Sequence, residues 1–525
     1  MNAYGMSLVI GSTIVTTAVA FGCGSLPSSS LEREREKVGA AAQAFDSNAS
    51  VLVDFDMDGT LVTDTAEPAR VRALIQAQLL YAVGVLNEDR SLGRHERLEL
   101  SAITATPQPG AGSFQIAYHA RLPVAWGLPA PPVTYSLPLP ARAAQADQTA
   151  FATKYGKTCV DPSAGEIGAA DAGRMFLNYR PLRAGCVLDP SDVVTFSAKA
   201  SLSTENTAGK YPEYHRIWED GALSVVAVFS HSSYEGDPDD FGARAFRDFV
   251  ARVDAYLAQR QPDASKRSTT AGGASTTMHA ATLPDGRTVR VDVSLVGARL
   301  AQAGPSFDAW YDALTPQADV ILYSGHADLG GNVRTIMNKG TFVRGKYVMW
   351  VENACDTLAY VDRTLADRRA RLNPDDVSGT KYMDTVSTVL GGYFGTGPPT
   401  AMSFVDAIVT ARDSTPAPKT YRQLFAELDP AQVTVVTGEE DNEFAPSMFA
   451  SPAVAPTGQP PTQAEPGVDT PSTPSAPASD AATPSPSNGG SCSAAAGKPP
   501  SDAALALVVA VALLRRRRRH SSSIT

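Results

Sequence analysis

Two stretches decide the fold: Val320-Ile-Leu-Tyr-Ser-Gly-His-Ala327 and Tyr347-Val-Met-Trp-Val-Glu-Asn-Ala-Cys355. Each opens on a short, unbroken apolar run and closes on a residue able to do chemistry. Apolar runs of this length, without alternation, are what a strand shows when both of its faces are covered. Leu223-Ser-Val-Val-Ala-Val-Phe229 and Val433-Thr-Val-Val436 repeat the pattern. Helical stretches lie between them at 241–257, 298–314 (with a break expected at Pro305), 332–338 and 357–372. A hairpin is expected from 276–281 and 289–295 around Pro284-Asp285-Gly286. Strands alternating with helices predict an α/β domain over 206–445, a mostly parallel sheet flanked by helices.

In open parallel sheets, ligands gather at the carboxyl ends of the strands. The residues just past the expected strands are Ser230-His231, Ser324-Gly325-His326-Ala327 and Asn353-Ala354-Cys355-Asp356. His326 and Cys355 therefore leave the same edge, 29 positions apart. A thiol nucleophile needs an imidazole close enough to take its proton. Cys355 is also expected to open the helix over 357–372, whose amino-terminal dipole favours a thiolate, while the carboxylate of Asp356 opposes it. His231 is a second candidate at this edge, as a lining residue. Asp328 and Glu352 are candidates for a charged specificity pocket. The plain alternative is a buried, inert cysteine beside a satisfied histidine.

Upstream, from 51 to 205, the pattern changes to alternation: Leu98-Leu100-Ile103, Phe114-Ile116-Tyr118, Val133-Tyr135-Leu137 and Val193-Val194-Phe196. Period-two alternation broken by turn residues such as Pro107-Gln108-Pro109-Gly110 predicts a mainly antiparallel β domain, with one helix over 66–85 packed on it. Its first strand holds Asp54-Phe-Asp56-Met-Asp58-Gly-Thr-Leu61. Val51, Val53, Phe55 and Met57 alternate with Asp54, Asp56 and Asp58, so a strand with three carboxylates on one wet face, ending in an Asp-Gly turn, is the first reading. The string also resembles the first half of a calcium loop, without the acidic twelfth position, where Thr65 stands. It resembles the nucleophile motif of haloacid-dehalogenase-like phosphatases too, which would make Asp56 a magnesium-dependent nucleophile.

Strand-Ser-Gly-His followed by strand-x-Ala-Cys resembles the caspase-like cysteine peptidases, the group that includes caspases, metacaspases, gingipains and clostripain. The resemblance covers about residues 220–440. It implies a caspase-like α/β fold, peptide-bond hydrolysis with His326 as general base and Cys355 as nucleophile, and a peptide or protein substrate. It also implies oxyanion donors at the Cys355 amide and at a backbone amide beside His326, and no metal or organic cofactor. Ala327 stands where the family usually has glycine. A catalytically inert surface binding module that keeps the fold is the alternative from another class.

The ends of the chain speak to address. Residues 1–22 are uncharged with an apolar stretch, and Ala20-Phe21-Gly22-Cys23 is similar to a lipobox, so a signal peptide at 1–22 and lipidation at Cys23 are expected. A polar lead-in occupies 23–50. At 446–490 a Pro/Ser/Thr-rich tract, with ten prolines between 451 and 490, cannot bury enough surface to offset chain entropy and reads as a disordered stalk. The segment 491–525 combines Cys492, an apolar run from Ala503 to Leu514 and Arg515–Arg519. It resembles the Cys/apolar/Arg sorting tails of myxobacterial surface proteins, which implies processing at Cys492. Export to the cell envelope or outer-membrane surface, with a lipid anchor or sorting tail holding the membrane, is the expectation. In such an oxidising compartment Cys159 and Cys186, 27 positions apart, can pair.

Composition leaves room for a large buried core. The 525 residues are 43% apolar and 19% charged, with a formal charge of −10. Setting aside Arg515–Arg519 leaves 40 basic against 55 acidic residues. No basic face interleaved with aromatic residues is present, which argues against nucleic acid as a partner.

Overall fold

Alternation along the first half builds an antiparallel sheet. The strands are β1 (Val51–Thr63), β2 (Leu92–Gly93), β3 (Glu99–Gln108), β4 (Ser113–Trp126), β5 (Thr134–Pro140) and β6 (Val193–Leu202). They are ordered β2-β4-β1-β6-β5, with β3 also paired to β4. Val53, Phe55, Met57 and Leu61 of β1 point into a core closed by α1 (Pro68–Leu79) and α2 (Ala82–Glu88). The single helix expected over 66–85 is thus two, separated at Leu80-Tyr81. The Glu67 carboxylate accepts the Ala69 and Arg70 amides and Pro68 opens the first turn, both favourable at a helix start. Two further helices, α3 (Gln145–Tyr155) and α4 (Met175–Asn178), lie over the same core. Cys159 and Cys186 form a disulfide there.

The computed structural model describes residues 49–449, apart from 111, 129, 163–172, 206–208, 234–239, 262–264, 272–273, 414–416 and 439–441. The expected signal peptide, stalk and sorting tail, with Cys23 and Cys492, lie outside the described residues.

The second half is a mixed sheet, ordered β14-β13-β12-β11-β7-β10-β9-β8. Its strands are β7 (Ala222–Ser230), β8 (Ser265–Ala271), β9 (Ala274–Thr282), β10 (Thr288–Val296), β11 (Val320–Ser324), β12 (Val348–Asn353), β13 (Met383–Thr388) and β14 (Thr434–Gly438). The central run β10-β7-β11-β12-β13 is parallel. At the flanks β9 and β14 run antiparallel to their neighbours, so the apolar run at 433–436 is a strand of the opposite sense. The helices of this half are α5 (Tyr214–Ile217), α6 (Phe241–Arg260), α7 (Gly304–Leu314), α8 (Gly331–Asn338), α9 (Thr357–Tyr360), α10 (Thr364–Leu372), α11 (Gly397–Thr410) and α12 (Tyr421–Ala426).

Burial on both faces explains the unbroken apolar runs. Val225, Ala227 and Phe229 of β7 face a core with α6 and α11, where Phe249, Val253, Phe404 and Ile408 meet them. Val226, Val228, Ile321, Tyr323 and Trp350 face the other way, against Phe307 and Tyr311 of α7 and Val333 and Ile336 of α8. Leu52, Val83, Leu92 and Ala125 of the antiparallel half join this second core, so the two sheets share apolar surface. Ala49 also bridges to Thr434, and the Ser50 amide donates to the Thr434 carbonyl at 3.0 Å.

Three local expectations change. Pro305 stands in the first turn of α7, where a missing N–H costs nothing, and so starts a helix instead of breaking one. The helix expected over 357–372 divides into α9 and α10, because the Asp362 carboxylate accepts the Thr364 amide at 2.9 Å and begins a new helix. β13 was absent from the apolar pattern. Its residues Met383-Asp-Thr-Val-Ser-Thr388 are all buried, with Asp384 held by Lys210 Nζ (2.6 Å) and by the hydroxyls of Tyr347 (2.6 Å) and Tyr421 (2.7 Å).

Candidate active site at the carboxyl edge of the mixed sheet

After β7 the chain crosses to β10 on one side, while β11 and β12 lie on the other. The β7/β11 boundary is therefore the place where strand order reverses, the position at which open parallel sheets generally take their ligands. Ser324 pairs with Asn353 as the last registered residues of β11 and β12. His326 and Cys355 each stand two residues beyond that pair, on neighbouring strands whose backbones are about 4.8 Å apart. Gly325 is required at the exit of β11. A Cβ there would stand 2.0 Å from Ser230 Oγ and 2.8 Å from Tyr323 Oη.

His326 is 4% exposed and held on several sides. Its Nε2 lies 2.9 Å from the carbonyl oxygen of Ser232, just past β7. A carbonyl can only accept, so Nε2 carries a proton, and whenever the ring is neutral its lone pair is on Nδ1. The His326 carbonyl accepts from Tyr323 Oη at 2.6 Å and Asn332 Nδ2 at 2.9 Å, which fixes the backbone. The Phe394 ring meets the imidazole edge-on, with centroids 5.0 Å apart.

Cys355 is partly exposed and keeps its thiol. The segment 391–394, flowing out of β13, passes against it. Cys355 Sγ lies 3.9 Å from the Gly392 carbonyl oxygen, and a Cβ on Gly391 would stand 4.0 Å from the sulfur. Gly392 leaves no room for a side chain, since a Cβ would come within 2.8 Å of the Ala354 carbonyl. One short segment thus touches both the thiol, through Gly392, and the imidazole, through Phe394.

The electrostatic support expected for Cys355 is smaller than a long helix would give. The helix that follows is only Thr357–Tyr360, too short for a full dipole. Asp356 is buried in a left-handed conformation (φ 51°), and its Oδ1 accepts from Asn87 Nδ2 at 3.2 Å, a contact from the antiparallel half. Ala327 is fully buried, and its carbonyl accepts the amides of Gly330 and Asn332.

The other expected positions separate. His231 belongs to the same edge, with Nδ1 at 2.7 Å from Asp240 Oδ2 and its amide donating to the Val296 carbonyl. Asp328 is half-buried and left-handed (φ 50°), with Oδ2 3.9 Å from Arg299 Nε. Glu352 does not line a charged pocket. It is 1% exposed on the face shared with Trp350, neither carboxylate oxygen has a hydrogen-bond partner among the described residues, and burial holds its carboxyl well above the usual range.

The acidic string lies within β1 and belongs to the antiparallel half. The strand runs straight through Gly59, so no Asp-Gly turn forms. Tyr118 fills the space where a Gly59 side chain would stand, its ring and hydroxyl atoms 2.4–2.7 Å from the Cβ position. Asp56 and Asp58 are exposed, but Asp54 is buried and paired with Arg121 Nη2 at 2.7 Å. His119, opposite Asp58 on β4, lies 3.0 Å from Asp58 and 3.4 Å from Asp56. A straight strand spreads alternate carboxylates along a face instead of wrapping them round an ion. Among the described residues, no group of three or more His, Cys, Asp or Glu is arranged to hold a metal ion.

Sequence reading missed the Ser232 carbonyl, Asp240, the 391–394 segment and Asn87. Each reaches the edge from a distant part of the chain, and two of them act through backbone atoms that carry no residue signature. The chain matches no protein-family model, no curated protein and no solved structure.

Proposed function

We propose that the chain is an exported cysteine peptidase of caspase-like fold, hydrolysing peptide bonds through His326 and Cys355. The observation that carries this reading is the matched exit of both residues, two positions past the registered pair Ser324–Asn353, with the imidazole tautomer set by Ser232. In the reaction, the Cys355 thiol gives its proton to His326 Nδ1 and the thiolate attacks the scissile carbonyl. The imidazolium then protonates the departing amine, leaving a thioester on Cys355. Water, deprotonated by the neutral imidazole, cleaves the thioester and restores the thiol. The substrate is a peptide or protein, and no cofactor enters these steps. Export is supported by the Cys159–Cys186 disulfide, since such bonds persist outside the reducing cytosol. The lipid anchor at Cys23, the processing site at Cys492 and the envelope address rest on the sequence.

The inert binding module is the second reading. It draws on the buried Asp356 beside the thiol, whose carboxylate disfavours a thiolate, and on the short helix after it, which lends a thiolate little support. The phosphatase reading has least support, because Asp56 is mid-strand on an open antiparallel face. The test is a fluorogenic peptide library with the purified protein. Hydrolysis that falls by at least about 100-fold in Cys355→Ala and in His326→Ala is the expected result. Hydrolysis that survives both substitutions, or no hydrolysis of any peptide, overturns the assignment.

A further inference from the structure

We infer that Asp240 is a positioning residue for His326, acting through the peptide that joins Ser232 to Ser233. This inference rests on His326 being the base of the proposed peptidase.

Asp240 has an ordinary duty and an additional one. As the residue before α6 it caps the helix, with Oδ1 accepting the Ala243 amide. That duty occupies one carboxylate oxygen. The other oxygen, Oδ2, is turned to the loop after β7. It takes His231 Nδ1 at 2.7 Å, the Ser232 amide at 2.9 Å and, at longer range, the Ser233 amide at 3.4 Å. Ser232 returns the contact, its Oγ accepting the Phe241 amide at 3.0 Å. Residues 231–233 are thereby fastened to the start of α6.

The consequence for His326 follows from which atoms share a peptide unit. The Ser233 N–H and the Ser232 C=O are the two ends of one amide plane. A carboxylate at the N–H end polarises the C=O end, which then accepts more strongly from His326 Nε2–H. The buried Asp240 and His326, 5% and 4% exposed, let this chain act with little screening by water. Burial works against a charged Asp240, yet the bonds to His231 and to the amides hold its carboxyl below the usual range. Asp240 thus fixes the position of the Ser232 carbonyl and lends it negative character. Both effects keep the proton on Nε2, leave Nδ1 as the basic nitrogen and favour the imidazolium formed when Cys355 loses its proton.

The test must separate this role from helix capping. Ser caps helices about as well as Asp but has no charge and a shorter reach. The full chain is prepared as wild type, Asp240→Ser and His326→Ala, and three quantities are read: melting temperature, the rate of Cys355 alkylation by iodoacetamide, and the imidazole ¹⁵N shifts. The chain has seven histidines, and the His326 signals are assigned by their loss in His326→Ala. The expected result is that Asp240→Ser melts near wild type, labels at least about tenfold more slowly, and loses the pure Nε2–H signature for a mixture of tautomers; that fold-change is the scale seen when the outer partner of a ligand-holding histidine is removed. Wild-type labelling and an unchanged tautomer in Asp240→Ser would overturn the inference while leaving the peptidase reading intact. Slow wild-type labelling that His326→Ala does not change would overturn the peptidase reading, and this inference with it. Should Asp240→Ser fail to fold, Asp240→Asn keeps the shape and the cap, and the same three criteria apply.

Discussion

On the antiparallel sheet, His119 stands across from Asp58 in register and touches Asp56 on the same open face. On the mixed sheet, His326 is enclosed at a strand end by Ser232, Phe394 and the backbone bonds of its own turn. Both histidines sit beside groups able to exchange protons, but the settings differ. The hydrogen bond that the His119 ring donates to Asp58 pushes the ring toward the charged form, and the whole group stays wet. Such a cluster is screened by water and salt, and it includes no thiol. The parallel edge instead brings the outflow of β7, β11, β12 and β13 together, where the Ser232 carbonyl accepts from one nitrogen of the imidazole and the segment 391–394 meets both that ring and the thiol. Antiparallel register spreads side chains in rows across a face. Parallel strands ending together converge them.

Four substitutions sharpen that contrast. The largest stability effect belongs to the antiparallel half: Cys159→Ser with Cys186→Ser should cost about 3–4 kcal/mol by loop entropy, read from urea melts, with the Cys355 labelling rate unchanged while the protein is folded. Next is Gly325→Ala, whose Cβ would meet Ser230 Oγ at 2.0 Å. Overpacking here should cost about 1–3 kcal/mol and also lower the labelling rate, because it displaces the turn that carries His326.

The third concerns the buried Glu352. Its carboxyl is raised above the ordinary value of 4.5 by burial, so the folded state binds its proton more tightly than the unfolded chain does. The stability this contributes is fully present below about pH 4.5 and is lost as pH rises toward the folded value. Glu352→Gln removes the linkage. Its stability advantage over wild type should be smallest near pH 4 and grow toward pH 8 in denaturant melts; a pH-independent difference would show that Glu352 is not held protonated. The smallest effect is expected for Asp56→Asn with Asp58→Asn. These exposed pairs should contribute under about 0.5 kcal/mol, and their loss should return His119 toward its ordinary titration by NMR without altering Cys355.

Much of this was legible in sequence because apolar pattern follows burial. The runs at 223–229, 320–323 and 347–351 are buried on both faces and emerged as β7, β11 and β12. The alternating runs at 114–118 and 193–196 lie in β4 and β6, and all but Leu98 of the run at 98–103 lies in β3. β13 escaped because its buried residues are largely polar and satisfied by partners such as Lys210 and Tyr421, contacts that no local window contains. The sense of β14 escaped because an apolar run does not encode direction. At the site, His326 and Cys355 were legible as residues past strand ends. The Ser232 carbonyl was not, since it meets His326 across 94 positions of sequence through an atom every residue has. Asn87 holding Asp356 was hidden for the same reason, 269 positions away.

The most direct test of the proposed coupling between His326 and Cys355 is the pH dependence of Cys355 alkylation in the wild-type protein and in His326→Ala. Fast labelling with an apparent pKa well under about 8.5, slowed by at least about 100-fold at neutral pH in His326→Ala, is the result expected of a thiol whose proton His326 takes. Slow labelling near pKa 8.5 that the substitution leaves unchanged would contradict the pairing and leave a mixed-sheet scaffold with an inert cysteine at its edge.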